Sequence, residues 1–199
     1  MKKIKEFFKL NKAFTLAEML CALGVSAIVI LTVYTMMLSA QQTFSRLSDA
    51  SKNTNNFRFL VNALRDSMQG APEITHNSAS TAFLTIPVYR NSTTPVNDIY
   101  FVSNVDAISN DAAKAKDIFS APQPGNNSYN LYKNDNGNTI LALSNVKKIY
   151  YSVEKNDADT KGGYQKLNIG IIYDEVLSDK KIDTVRQKRK MLCFTSKGR

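Results

Sequence analysis

The sequence predicts an α+β fold: a long N-terminal spine helix, membrane-spanning in its first half, packed on a small antiparallel β-sheet head. Three observations carry that expectation. Residues 19–40 run for 22 positions without a charge, apolar residues then recur at three- and four-residue spacing as far as Met68, and beyond Pro72 the pattern turns to strand-like alternation. Strands gathered after one long helix indicate α+β. A chain of 199 residues has room for one modest domain plus an appendage.

The helix begins after a basic leader. Residues 1–13 hold five lysines and one glutamate, and from Phe14 to Ala40 the only charged residue is Glu18. At ~1.5 Å per residue the uncharged stretch is ~33 Å long, enough to cross a bilayer's hydrocarbon core. The lysines should stay on the cytoplasmic side, which puts everything after Ala40 outside. From the residues alone three readings stand: an uncleaved signal anchor, a secretory signal peptide cut after Ala40, or a segment in which Glu18 has a dedicated partner. A carboxylate at mid-bilayer costs about 2.5–3.5 kcal/mol on insertion scales, and less near the interface, so it is a functional residue by default.

The run Lys12-Ala13-Phe14-Thr15-Leu16-Ala17-Glu18-Met19-Leu20 resembles the processing site of type IV prepilins and pseudopilins. The shared pattern is a short basic leader, a small residue, then Phe-Thr-Leu-x-Glu opening an apolar helix. The resemblance covers about a tenth of the chain and favours the third reading. It implies cleavage by a membrane-embedded prepilin peptidase between Ala13 and Phe14, and N-methylation of the new Phe14 amine. It further implies that Glu18 pairs with the Phe14 ammonium of a neighbouring subunit and sets register during assembly. The pair is better understood as a register pin than as a source of stability, because desolvation offsets much of its attraction. Two departures stand out. Ala13 occupies the position where glycine is usual, so cleavage is expected to be slower, and the family's frequent helix-kinking proline is absent.

Beyond the membrane, Phe44, Leu47, Phe57, Leu60, Val61, Leu64 and Met68 form an apolar stripe. Ser51-Lys52-Asn53-Thr54-Asn55-Asn56 is poor helix material and is expected to interrupt or bend it; Gly70 and Pro72 supply a stop. Unbroken, residues 14–69 would extend ~84 Å. Expected strands cover residues 81–88, 98–102, 129–132, 139–143, 148–153, 166–173 and 191–195. Pro87 marks an edge strand, and Asn134-Asp135-Asn136-Gly137-Asn138 a hairpin. Residues 157–163 read as another loop, and residues 103–128 as a long one with room for a short helix. The order of elements from Asn130 onward is more weakly similar to minor competence pseudopilins and, more distantly, to the J-type subunit of type II secretion. It includes a Ser144-Asn145-Val146 step into an aromatic strand. The resulting organisation is a leader (1–13), a transmembrane and assembly helix (14–40), an amphipathic continuation (41–70) and an extracytoplasmic head with a basic tail (71–199).

The net charge of +9 suggests a polyanionic partner until it is located. The leader carries +4, residues 180–199 carry +7, and the span between them carries −2. A globally basic nucleic-acid fold is therefore disfavoured, and Lys188, Arg189 and Lys190 remain as candidate DNA contacts. The competing expectation for that tail is a solvated charged approach to a final strand. Lone His76 builds neither a triad nor a histidine metal site and is expected in an exposed loop. Asn134, Asp135, Asn136, Asp157 and Asp159 lack the ligand spacing of a calcium loop. Cys21 and Cys193 form no metal pattern and are expected to behave as small buried hydrophobes. Tyr150, Tyr151 and Tyr173 are expected in the sheet core.

No nucleotide-binding, metalloprotease or serine-hydrolase motif occurs, so neither enzyme activity nor a cofactor is expected. The resemblance implies a minor subunit extracted from the membrane into a filament by an assembly ATPase and a platform membrane protein, most like a competence pilus for DNA uptake in natural transformation. A type II secretion pseudopilus is the alternative within the family. A membrane-anchored extracytoplasmic binding protein that never polymerises is the alternative outside it.

Overall fold

Helix α1 (Leu16–Met68) opens a chain whose remaining regular structure is almost wholly strand. The computed structural model describes residues 15–69, 71–89, 94–156, 164–177 and 184–197, and the described chain divides into two units, one ending at Ser45 and the other starting at Arg46.

The first unit is helix alone. Its large apolar side chains from Leu16 to Leu38 are all exposed, and this is a stretch of length and composition able to cross a membrane. The hydroxyls within it are turned onto the helix's own carbonyls: Ser26 donates to Ala22 O at 2.7 Å, Thr32 to Val29 O at 2.8 Å and Thr35 to Thr32 O at 2.9 Å. In hydrocarbon such back-bonding is how a hydroxyl avoids being left unsatisfied.

In the second unit α1 passes through Ser51–Asn56 without a break, contrary to the expected interruption. The Thr54 hydroxyl donates to Ala50 O at 2.8 Å. The residues that follow are buried on the sheet, and tertiary packing of an amphipathic face outweighs weak local propensity. Leu60, Ala63, Leu64, Ser67 and Met68 are buried, and the Phe57 ring stacks on Tyr173 with centroids 5.8 Å apart. The inner stripe of the sequence is thus covered, whereas Phe44 and Leu47 stay exposed.

The strands are β1 (Thr75–His76), β2 (Ala82–Val88), β3 (Val96–Val102), β4 (Ile108–Asn110), β5 (Tyr129–Asp135), β6 (Asn138–Asn156), β7 (Tyr164–Leu177) and β8 (Thr184–Lys197), with the short helix α2 (Ala112–Lys116) between β4 and β5. They form one sheet in the order β1-β2-β3-β5-β6-β7-β8, antiparallel throughout except for β4, which pairs parallel with β6. Pro87 lies opposite Asn97, and the two residues of β1 reach only Leu84 and Thr85, so the proline sits on a nearly bare edge as its missing N–H requires. The hairpin expected at Asn136-Gly137 joins β5 to β6. Both residues have positive φ, 49° and 90°, as a tight two-residue turn demands, and the Gly137 N–H donates to Asn134 Oδ1 at 2.9 Å.

Three expectations need correction. The two strands expected at 139–143 and 148–153 are one strand of 19 residues, β6, which turns through the positive-φ residue Asn145 and shifts register beside it. The charged approach to the last strand is itself strand, since β8 begins at Thr184 and pairs with β7 along its length. Residues 103–128 do contain the expected short helix, α2, but carry more regular structure than a long loop. They hold β4, α2 and two 3-10 turns, Val105–Ala107 and Ile118–Ser120.

These elements bury the sheet on both faces. The main core joins Leu60, Leu64 and Met68 of α1 to Phe83, Tyr100, Ile149, Tyr151, Leu167, Ile169 and Tyr173. On the opposite face a small second core gathers Ala115, Ile118 and Ala121 over Tyr150 and Ile172. The three tyrosines of the expected sheet core are all buried, and burial pushes the Tyr151 and Tyr173 phenols up.

Candidate functional site

The acidic residue of the membrane segment is held by the residue that starts the helix. Thr15 precedes α1, and its N–H and hydroxyl both donate to Glu18 Oε2, at 2.9 and 3.0 Å, while the Glu18 N–H donates back to Thr15 Oγ1 at 3.3 Å. This reciprocal arrangement is a capping box, which satisfies two of the amides that every helix N-terminus leaves unpaired. Oε2 takes both bonds, so among the described residues Oε1 has no donor. Oε1 is thus left open on a carboxylate already fixed in orientation by Thr15. Sequence reasoning singled out Glu18 but missed its tie to Thr15, although the Thr-x-x-Glu spacing ahead of an apolar run is the signature of that cap. Ala13 and Phe14 lie outside the described residues. Cys21, one turn further along, is exposed, and so is Cys193. Neither is buried as expected, because the first faces outward from a helix with no covering element and the second lies on the outer face of the last strand.

The basic tail is divided by the strand that carries it. Across the β7–β8 ladder Lys188 faces Tyr173, Arg189 faces Ile172 and Lys190 faces Ile171. Alternation therefore puts Lys188 and Lys190 on the α1 side of the sheet and Arg189 on the other. Arg189 is committed there: its Nη1 donates to the carbonyls of Ile118, Phe119 and Ala121 at 3.1, 3.2 and 2.8 Å, gathering the C-terminal end of the 3-10 turn Ile118–Ser120. Lys188 Nζ lies 3.3 Å from Glu175 Oε2. Lys190 is exposed and has no ion pair among the described residues. The three cations are thus not brought together as one patch. Lys180 and Lys181, ahead of them, lie outside the described residues.

The remaining candidates have structural surroundings. His76 is exposed but belongs to β1 rather than to a loop, with its ring edge-on to Tyr151 at 5.8 Å. Asn134 and Asp135 close β5 and Asn136 forms the turn; Asp157 and Asp159 lie outside the described residues. Among the described residues no group of three His, Cys, Asp or Glu side chains is placed to hold a metal. A cleft of about 240 Å³ is bordered by Asp106, Tyr129, Lys147, Lys148 and Tyr150. Its lysines are engaged, Lys147 with Asn126 O at 2.6 Å and Lys148 with Asp106 O at 2.5 Å.

The site with functional content is therefore the head of α1. No curated protein and no solved structure matches the chain. A family model described as the prokaryotic N-terminal methylation motif matches residues 8–34, which include Ala13, Phe14, Thr15 and Glu18 together with the first half of the apolar helix, and this match supports a pilin-like, membrane-anchored subunit.

Proposed function

We propose that the protein is a minor type IV pilin-like subunit of a competence pilus, serving DNA uptake in natural transformation. The observation that carries the pilin-like reading is the Thr15–Glu18 cap at the head of an uncovered apolar helix, inside the matched methylation motif. Prepilin peptidase cuts between Ala13 and Phe14, and the Phe14 amine is methylated. An assembly ATPase and a platform protein then move the subunit from the membrane into the filament. There the ammonium on Phe14 of a neighbour reaches Glu18 Oε1 while Thr15 keeps Oε2. The apolar helices supply most of the association through packing, and the charged pair supplies register. The competence setting is supported by the order of elements in the head, from the β5–β6 hairpin through the aromatic stretch Ile149-Tyr150-Tyr151 to β7.

The test is the N-terminus of the mature protein. Sequencing and mass spectrometry should find methylated Phe14 as the first residue, and a chain starting at Met1 or Gln41 overturns the reading. Glu18→Gln keeps an oxygen for the Thr15 cap but loses the charge, so it should stay in the membrane yet drop out of sheared filaments. Normal incorporation would remove the assembly role. Deletion of the gene should abolish transformation and leave protein secretion intact, and the reverse would assign the subunit to a secretion pseudopilus.

A further inference from the structure

Strand β8 ends the sheet, and among the described residues nothing pairs with its far side. Its 14 residues match the 14 of β7 without a register shift, whereas the β2–β3 and β6–β7 pairs each contain one and the β5–β6 pair two. The opposite edge is guarded by Pro87 and the two-residue β1. A long regular edge presents a row of open N–H and C=O groups and is a template for another strand unless its side chains forbid it. On β8 they select instead. Residues 191–196, Met-Leu-Cys-Phe-Thr-Ser, carry no charge, and Met191 is 51% exposed. Residues 186–190 hold four cations, of which Arg189 is consumed by three carbonyls and Lys188 is paired with Glu175. Arg186 and Lys190 are exposed, have no ion pair among the described residues, and lie on one face four residues apart, ~13 Å along a strand.

We infer that β8 is a docking edge for an extended acidic segment of a partner protein, which adds to the sheet as a further antiparallel strand. The segment would place apolar side chains opposite Phe194 and Leu192, and carboxylates four residues apart opposite Lys190 and Arg186. Main-chain hydrogen bonds supply affinity in such strand addition, and side chains supply register. DNA suits this edge less well. Half of the open backbone groups are carbonyl oxygens, which repel phosphate but accept a peptide N–H. Of the cations between residues 186 and 190, only the Arg186 and Lys190 side chains have no ion pair or hydrogen bond among the described residues. The inference does not depend on processing at Phe14.

The experiment uses the full chain in detergent micelles and a synthetic peptide with alternating valines followed by two glutamates four residues apart. Amide exchange should slow along residues 185–195 when the peptide is added. Methylating alternate peptide nitrogens should weaken binding by at least about tenfold, equivalent to ~1.4 kcal/mol. Arg186→Glu with Lys190→Glu should reject the acidic peptide and accept its lysine counterpart. The inference is overturned by unchanged exchange in β8, by equal binding of the methylated peptide, by indifference to the charge reversal, or by stronger protection from a DNA duplex than from the peptide.

Discussion

The Ser67 hydroxyl, in the last turn of α1, lies 2.6 Å from Asp98 Oδ2 on β3. Both residues are completely buried, Lys133 Nζ of β5 is 2.8 Å from the same carboxylate oxygen, and the Tyr100 hydroxyl is 2.9 Å from Ser67 Oγ. One polar cluster thus joins the end of the spine helix to two strands of the head and fixes which helix turn meets which strand. Removing one member of a buried pair strands the other's charge. Asp98→Ala should therefore cost about 3–5 kcal/mol, read by denaturant unfolding of the head. Asp98→Leu with Lys133→Met should recover most of that loss, because no charge is then left unpaired.

Arg189 should behave as a tie for the 3-10 turn. Arg189→Ala leaves three carbonyls of residues 118–121 without their donor, two of them in partly buried contacts, at a cost of about 1.5–3 kcal/mol. Faster amide exchange and protease cutting near Phe119 are the expected signs, with the main core unaffected. Arg189→Lys should restore part of the loss, because all three bonds come from the one nitrogen Nη1 and a lysine ammonium offers three N–H groups on a side chain one atom shorter.

Gly170 is required by packing rather than by backbone conformation. A Cβ built there falls 2.8 Å from Ile118 Cδ1 and 3.1 Å from the Lys114 carbonyl oxygen. Gly170→Ala should destabilise the head by roughly 1–3 kcal/mol through overpacking. Adding Ile118→Val removes the nearer clash and should return part of the loss in thermal unfolding. Additivity of the two changes would refute the contact.

Acid should loosen the α2 region first. The Asp111 carboxyl is held below the usual range by its hydrogen bonds to the Lys114 side chain and backbone, and Glu154 by hydrogen bonding to Lys116. A lowered folded-state pKa gives stability that is full above the ordinary carboxylate value and lost as pH falls through the lowered one. Both groups are solvent-exposed, so the effect is small and weakened by salt. Exchange rates at residues 111–116 followed through an acid titration should rise before the core opens, and Asp111→Asn should flatten that rise.

The sequence by itself determined the long apolar helix, the N-terminal methylation motif, the α+β class and the position of most strands, because each is written in local periodicity or in a short run of adjacent residues. Asn136-Gly137 marked a hairpin for the same reason: positive φ is a property of the residues in the turn. Tertiary structure decided what depends on a partner far along the chain. That the helix runs on through Ser51–Asn56 without interruption follows from the burial of Leu60 and Leu64 against the sheet. The cations of residues 186–190 became strand because β7 supplied the hydrogen bonds, and Arg189 parted from its neighbours because strand alternation turns successive side chains to opposite faces. The Ser67–Asp98–Lys133 cluster draws its members from positions 31 and 35 residues apart along the chain. No local pattern announces it, since a buried charge is tolerable only once the fold has brought its counter-charge within reach.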